Sequence, residues 1–211
     1  MVQERDQPAS DEIPPPGPVV VLMGPDGSGK DAVAEYLRDH CGFLFVKTRS
    51  EFGAMRGLVT DETDPLLALA VFSYIARATF VEARKIAAQG HSVVIVRSPM
   101  CALVNCLALN ERILELEIMD SEVCRVFNVL LYADPDILSR RARGRKRGAR
   151  PFECDVGLIR ARIAWYQQFV PEECWVDVGP LSQQEAPRVV AERIISLLEN
   201  QEEESGELAG L

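Results

Sequence analysis

The chain has 211 residues, 47% apolar and 26% charged, which suits about one soluble domain with a proper core. Its 23 Lys and Arg against 32 Asp and Glu give a formal net charge of −9, which argues against general nucleic-acid binding. No apolar run approaches the roughly 20 residues of a membrane span, and six scattered cysteines without Cys-x-x-Cys spacing argue against a zinc framework.

In chain order, Met1 to Pro18 is polar, acidic and proline-rich with no apolar signal region. Residues 1–17 are expected to be a disordered leader, and cytoplasm is the default location. Val19 to Met23 reads as a strand. Gly24-Pro25-Asp26-Gly27-Ser28-Gly29-Lys30-Asp31 follows, and a helix opens there and runs to Cys41. Strand, Gly-x-x-x-x-Gly-Lys and helix together are what a phosphate-binding loop requires. Glycines let the backbone N–H groups turn inward on a phosphate, the helix N-terminus adds partial positive charge, and Lys30 adds a full one. A nucleoside di- or triphosphate is the implied ligand.

Asp31 stands where a Ser or Thr hydroxyl normally ligates Mg²⁺. Two readings follow: a rearranged metal site, or a site that has lost its chemistry. The ligand argument favours the first, because a carboxylate is a good hard-oxygen ligand.

Phe43 to Lys47 reads as a second strand ending at Thr48-Arg49-Ser50, followed by a loop to Pro65 and a long helix from Leu66 to Gln89 that Gly90 terminates. His91 to Val96 is a buried parallel-type strand. A helix from Cys101 to Leu116, a strand from Val126 to Tyr132 and a helix opened by Asp134-Pro135 come next. Leu158 to Val170 reads as helix, Cys174 to Val178 as a last strand, and Gln184 to Glu199 as a closing amphipathic helix. The alternation predicts a three-layer α/β fold with a mainly parallel sheet. One domain is expected over residues 18–199, with an acidic disordered tail over 200–211.

Arg140 to Arg150 carries seven cations in eleven residues of an acidic protein. A solvated charge run or a nucleic-acid patch is the bland explanation. Its place after a strand and Asp134-Pro135, downstream of the glycine loop, favours a lid of about residues 140–153 that closes over phosphates, with Gly144 and Gly148 giving it mobility. Asn-Lys-x-Asp, which guanine-reading GTPases need, is absent, and Ser92 to Val96 ends in Val96-Arg97-Ser98 without the acid of a motor ATPase.

From Val19 to about Leu198 the chain resembles the thymidylate kinase family, within the wider nucleoside-monophosphate kinases. The glycine loop with Asp26, Thr48-Arg49 after the second strand, Arg77 on the long helix, Arg97 after the third strand and the basic segment before Trp165-Tyr166 carry the likeness. The resemblance implies ATP and Mg²⁺ as cofactors and a small phosphorylated acceptor, with no nucleic-acid or membrane partner and a homodimer possible. It implies that Asp26 bonds an acceptor hydroxyl and that Arg49, Arg77 and Arg97 hold the acceptor's phosphate. Lys30, Arg143, Arg147 and Arg150 would stabilise the transferred phosphoryl group, Gly24 to Asp31 would hold the nucleotide, and Asp31 would serve the metal.

The chain departs from the family in three respects. Asp31 replaces the hydroxyl, as in phage deoxynucleotide kinases and animal phosphomevalonate kinases, and Val96 replaces an acid before Arg97. The base-reading Phe position holds Ser73, with Phe72 beside it, and Asn105-Cys106 stands for a Tyr-Gln pair, so thymine recognition is not supported. Phe72, Tyr74 and Asn105 are left as a differently shaped pocket, with core packing the plainer role for the two aromatics.

Overall fold

A computed structural model describes residues 14–47, 55, 65–108, 125–145, 148 and 150–208. Arg49 and Arg147, the expected leader up to residue 13 and most of the loop before Pro65 lie outside them.

Five parallel strands form one sheet in the order β2-β3-β1-β4-β5: β1 Val19–Met23, β2 Leu44–Val46, β3 Val93–Val96, β4 Val126–Tyr132 and β5 Trp175–Asp177. Seven helices accompany it among the described residues: α1 Lys30–His40, α2 Pro65–Ala87, α3 Pro99–Ala108, α4 Pro135–Arg143, α5 Pro151–Cys154, α6 Val156–Phe169 and α7 Ala186–Leu208. The three-layer α/β expectation holds.

β1 shows why. Every one of its five side chains is buried, as a central parallel strand covered on both faces requires. Val20 and Leu22 pack with Val33 and Leu37 of α1, Leu138 of α4 and Ile194 of α7. Val19, Val21 and Met23 point the other way, onto Phe80 and Ala83 of α2, Val104 of α3 and Tyr166 of α6. The period-2 alternation of a strand thus splits one apolar run between two cores.

Boundaries shifted by a few residues. Pro99 opens α3 two residues before Cys101, because proline's fixed φ suits the first helical position. α7 continues past Glu199 to Leu208, because Gln and Glu are good helix formers. Cys101 and Cys174 are buried, and the described thiols Cys41, Cys101, Cys154 and Cys174 are all free.

The chain leaves β1 through α1 toward β2 on one side and leaves β3 through α3 toward β4 on the other. The connections therefore diverge between β1 and β3. The carboxyl ends of strands at such a divergence are where open α/β sheets form the crevice that binds ligands.

Candidate active site

The glycine loop fills the mouth of that crevice. Gly24, Gly27 and Gly29 have φ of 131°, 89° and 84°, a region L side chains avoid. A Cβ at Gly24 would strike the Leu131 carbonyl, and one at Gly27 the Leu138 carbonyl of α4, so both glycines are also required by close packing. Gly29 differs: it caps α1, is exposed, and has nothing within 4 Å of where a Cβ would stand. The loop is open on that side, beside the unpaired N–H groups of the first turn of α1.

Lys30 is buried, and its Nζ donates to the carbonyls of Gly24 at 2.8 Å and Pro25 at 2.7 Å and to Ser28 Oγ at 3.1 Å. Burial pulls its pKa from 10.5 down to about 8, against the opposing pull of Asp26. Ser28 is locked in turn, donating its hydroxyl to Pro25 O at 2.9 Å.

Asp26 is the centre of the charge network. Its Oδ1 accepts from Arg97 Nη2 at 3.1 Å and from Arg145 Nη1 at 3.3 Å and Nη2 at 3.4 Å. Burial alone would raise its pKa; Arg97, Lys30 and Arg145 together overturn that and hold it at about 2. Arg97, at the end of β3, has φ of 76°, the one described non-glycine residue in the left-handed region. Such backbone costs roughly 1–3 kcal/mol and persists at sites where surrounding structure imposes it. Here the Arg97 amide donates to Leu22 O at 3.1 Å, extending the β3–β1 ladder, while its side chain crosses to Asp26.

The basic segment divides into separate roles. Arg141 donates to the carbonyls of Val178, Gly179 and Leu181, tying α4 to the chain after β5. Arg145 lies between Asp26 and the buried Glu153, whose Oε2 is 3.6 Å from Arg145 Nη1 and also accepts the Arg150 amide at 3.3 Å. Arg143 and Arg150 line a separate open cavity of about 460 Å³ with Pro151, Cys154 and Asp155. Gly148 has φ of 76°, whereas Gly144 ends α4 in right-handed backbone that any residue adopts.

Of the expected site residues, Gly24 to Lys30 and Arg97 converge at the crevice. Asp31 stands exposed in the first turn of α1. Arg77 lines a second groove of about 330 Å³ between β2 and α2, with Lys47, Tyr74 and Lys85. Phe72 and Asn105 are half-buried on α2 and α3, which pack together. Sequence reasoning missed Arg145, Glu153 and Arg162; the run of seven cations held no local sign of which one would reach Asp26.

The residues fit a nucleoside triphosphate, since the open face at Gly29 leaves room for phosphates against the backbone. They also fit Mg²⁺. No group of three or more His, Cys, Asp or Glu gathers among the described residues, but Mg²⁺ held by substrate phosphates needs only one or two protein carboxylates, and the exposed Asp31 would be the one to supply it.

No protein-family model matches the chain, and no curated protein matches its sequence. Solved structures do. Thymidylate kinase from Candida albicans superposes with a TM-score of 0.62 at 15% identity, covering 88% of this chain and 93% of that one. Deoxyadenosine kinase from M. mycoides, solved with bound dATP, gives 0.59 at 12% identity over 83% and 98%. The fold is that of the P-loop kinases. A gluconokinase from Sinorhizobium meliloti, at 0.52 and 20% identity over 91% and 99%, completes the picture. These are three different kinases by name, and at such identities the likeness shows the fold alone.

Proposed function

We propose that this P-loop fold is an ATP-dependent kinase acting on a phosphorylated small molecule, with a nucleoside monophosphate as first candidate. The observation that carries the proposal is the gathering of cations around Asp26: Arg97, just after β3, and Arg145, beyond α4, bond its carboxylate, and Lys30 of the loop and α1 lends its charge from nearby. Phosphoryl transfer needs positioning and charge neutralisation more than acid–base chemistry. ATP supplies the γ-phosphoryl group, and Mg²⁺ screens its charge.

In this reading the loop amides and Lys30 hold the phosphates while Asp31 faces the metal. Arg97 orients the acceptor's phosphate, assisted by Arg49 and Arg77, and guanidinium groups suit that task through paired N–H donors. Arg143, Arg147 and Arg150 complete the neutralisation. Phe72 and Asn105 line the acceptor side, and cytoplasm is the compartment.

A non-nucleotide acceptor is the second reading, favoured by Ser73 at the base-stacking position and by the gluconokinase likeness. A catalytically silent nucleotide-binding module is a third, because β3 ends in Val96 without a carboxylate.

ADP release from ATP with Mg²⁺, across ribo- and deoxyribonucleoside monophosphates and a set of sugar acids and sugar phosphates, separates them. Acceptor-dependent turnover that Lys30→Ala abolishes supports the kinase and names its substrate. ATP binding without turnover on any acceptor would leave the silent module.

A further inference from the structure

The left-handed backbone of Arg97, φ 76°, is held from both sides. On the N-terminal side the sheet does it: the Arg97 amide donates to Leu22 O at 3.1 Å, in line with the β1–β3 ladder. On the C-terminal side Ser98 is buried, and both of its backbone groups go to one partner. Its N–H donates to Cys101 Sγ at 3.4 Å, and its carbonyl accepts the Cys101 amide at 2.9 Å. That N–H belongs to the peptide joining residues 97 and 98, so Cys101 fixes ψ of Arg97 as the ladder fixes its φ.

The arrangement is half of a capping box. Ser98 precedes α3, Cys101 is the third helical residue, and its side chain reaches back to the N–H before the helix, a task usually given to Glu or Gln. Ser98 makes no reciprocal bond; its hydroxyl turns to Met23 Sδ at 4.0 Å. Sulfur suits the place. Cys101 is buried and packs with Met23, Val104 and Tyr166 of α6, whose hydroxyl meets the thiol. Lys30 and Arg97 are both close enough to feel it. A glutamate here would compete with Asp26 for those two cations, whereas a neutral thiol accepts the N–H and leaves them alone. With the sulfur gone, a buried donor loses its partner, a cost of the same order as the left-handed strain it now sustains.

We propose that Cys101 is a positioning residue: its thiol holds the Ser98 N–H, and through it the Arg97 backbone, so that the Arg97 guanidinium stays on Asp26. What Arg97 then does in a reaction rests on the kinase reading above; its placement by Cys101 does not.

Crystal structures of the full chain carrying Cys101→Ala, Cys101→Val or Cys101→Ser, beside the wild type, test it, with ADP calorimetry on the same proteins. Alanine removes the sulfur, valine removes it while keeping volume, and serine restores a hydrogen-bond acceptor. In Cys101→Ala and Cys101→Val, Arg97 is expected to leave the left-handed region and its contact with Asp26; in Cys101→Ser it is expected to keep both. ADP affinity is expected to stay within about twofold throughout, because the glycine loop is untouched. On the acceptor that turnover identifies, Cys101→Ala is expected to raise KM about tenfold, with kcat and KM for ATP within about twofold and Cys101→Ser close to wild type.

Arg97 unmoved on Asp26 in Cys101→Ala overturns the proposal. So does equal displacement in Cys101→Ala and Cys101→Ser, which would make the bulk of the sulfur the cause and not its hydrogen bond. A tenfold loss of ADP affinity in Cys101→Ala overturns it as well, by moving the thiol's action to the glycine loop through Lys30. Arg97 displaced with no turnover on any acceptor keeps the positioning and sinks the kinase reading. Turnover with Arg97 and acceptor KM unchanged in Cys101→Ala does the reverse. Should Cys101→Ala fail to fold, Cys101→Val carries the same comparison.

Discussion

Arg141 and Arg145 stand four residues apart in one basic run and do opposite work. Arg141 spends its guanidinium on three backbone carbonyls of the chain after β5, so its charge solves a packing problem. Arg145 spends its own on a carboxylate of the glycine loop, 119 residues away in sequence, beside Arg97. A carbonyl partner is neutral and permanent, which suits an anchor. A carboxylate partner leaves two crowded cations able to take another anion, which suits a site. Charge density along a sequence therefore does not measure function; the partner does.

The comparison breaks first at Lys30, the cation both regions leave in place. Lys30→Ala is expected to cut acceptor-dependent ADP release at least about a hundredfold, the scale for removing one preorganised charge from phosphoryl transfer. A smaller loss would mean that the arginines carry the neutralisation alone.

Next comes the loop's own packing. Gly24→Ala is expected to cost roughly 2–4 kcal/mol in urea unfolding, because its φ of 131° is strained for alanine and the new methyl meets the Leu131 carbonyl. Gly29→Ala has open space instead and is expected to cost about 1 kcal/mol, through its φ alone.

Arg141→Ala sharpens the contrast directly. It is expected to lower stability by about 1–3 kcal/mol, orphaning three carbonyls, with KM for ATP and acceptor unchanged. Kinetic damage without a loss of stability would place Arg141 in the site and erase the distinction.

The pH response is smaller and has a defined sign. Lys30 is held near 8 in the folded protein against 10.5 for a free lysine. Between those values the unfolded chain binds the extra proton, so this group makes the ligand-free protein more stable as pH rises from about 8 to about 10.5. Phosphate ligands need the charged form, so ADP affinity is expected to fall over the same window, with proton uptake on binding visible as a buffer-dependent calorimetric heat. Opposite slopes for stability and affinity are the signature; parallel slopes would exclude Lys30 as the group.

The smallest expected effect is at Asp31. Asp31→Ser restores the hydroxyl usual at that position and is expected to shift the Mg²⁺ requirement of turnover by only a few-fold. Complete loss of turnover would make the carboxylate indispensable to the metal site.

The glycine loop was legible in the sequence because strand, turn and helix are contiguous there, and each glycine's backbone demand is local. Arg97 was legible because it follows directly on a buried strand, whose carboxyl end is where open sheets bind. Arg145 was not: seven cations in eleven residues share one local signature, and only the packing of α4 against the loop selects which reaches Asp26. Glu153 and Arg162 were hidden for the same reason, since an acid in a four-residue helix and an arginine on α6 read as surface charge. Gly144, expected to give the basic segment mobility, ends α4 in right-handed backbone that any residue adopts.

By itself, then, the sequence determined the layer order and the phosphate-binding loop, both products of periodicity and of neighbours in the chain. The tertiary structure decided which charges meet. Parallel strands bring the ends of β1 and β3 side by side, and α4 carries its basic run back over the loop. Charges distant in sequence thereby come to share one carboxylate oxygen, a long-range electrostatic outcome that no local pattern encodes.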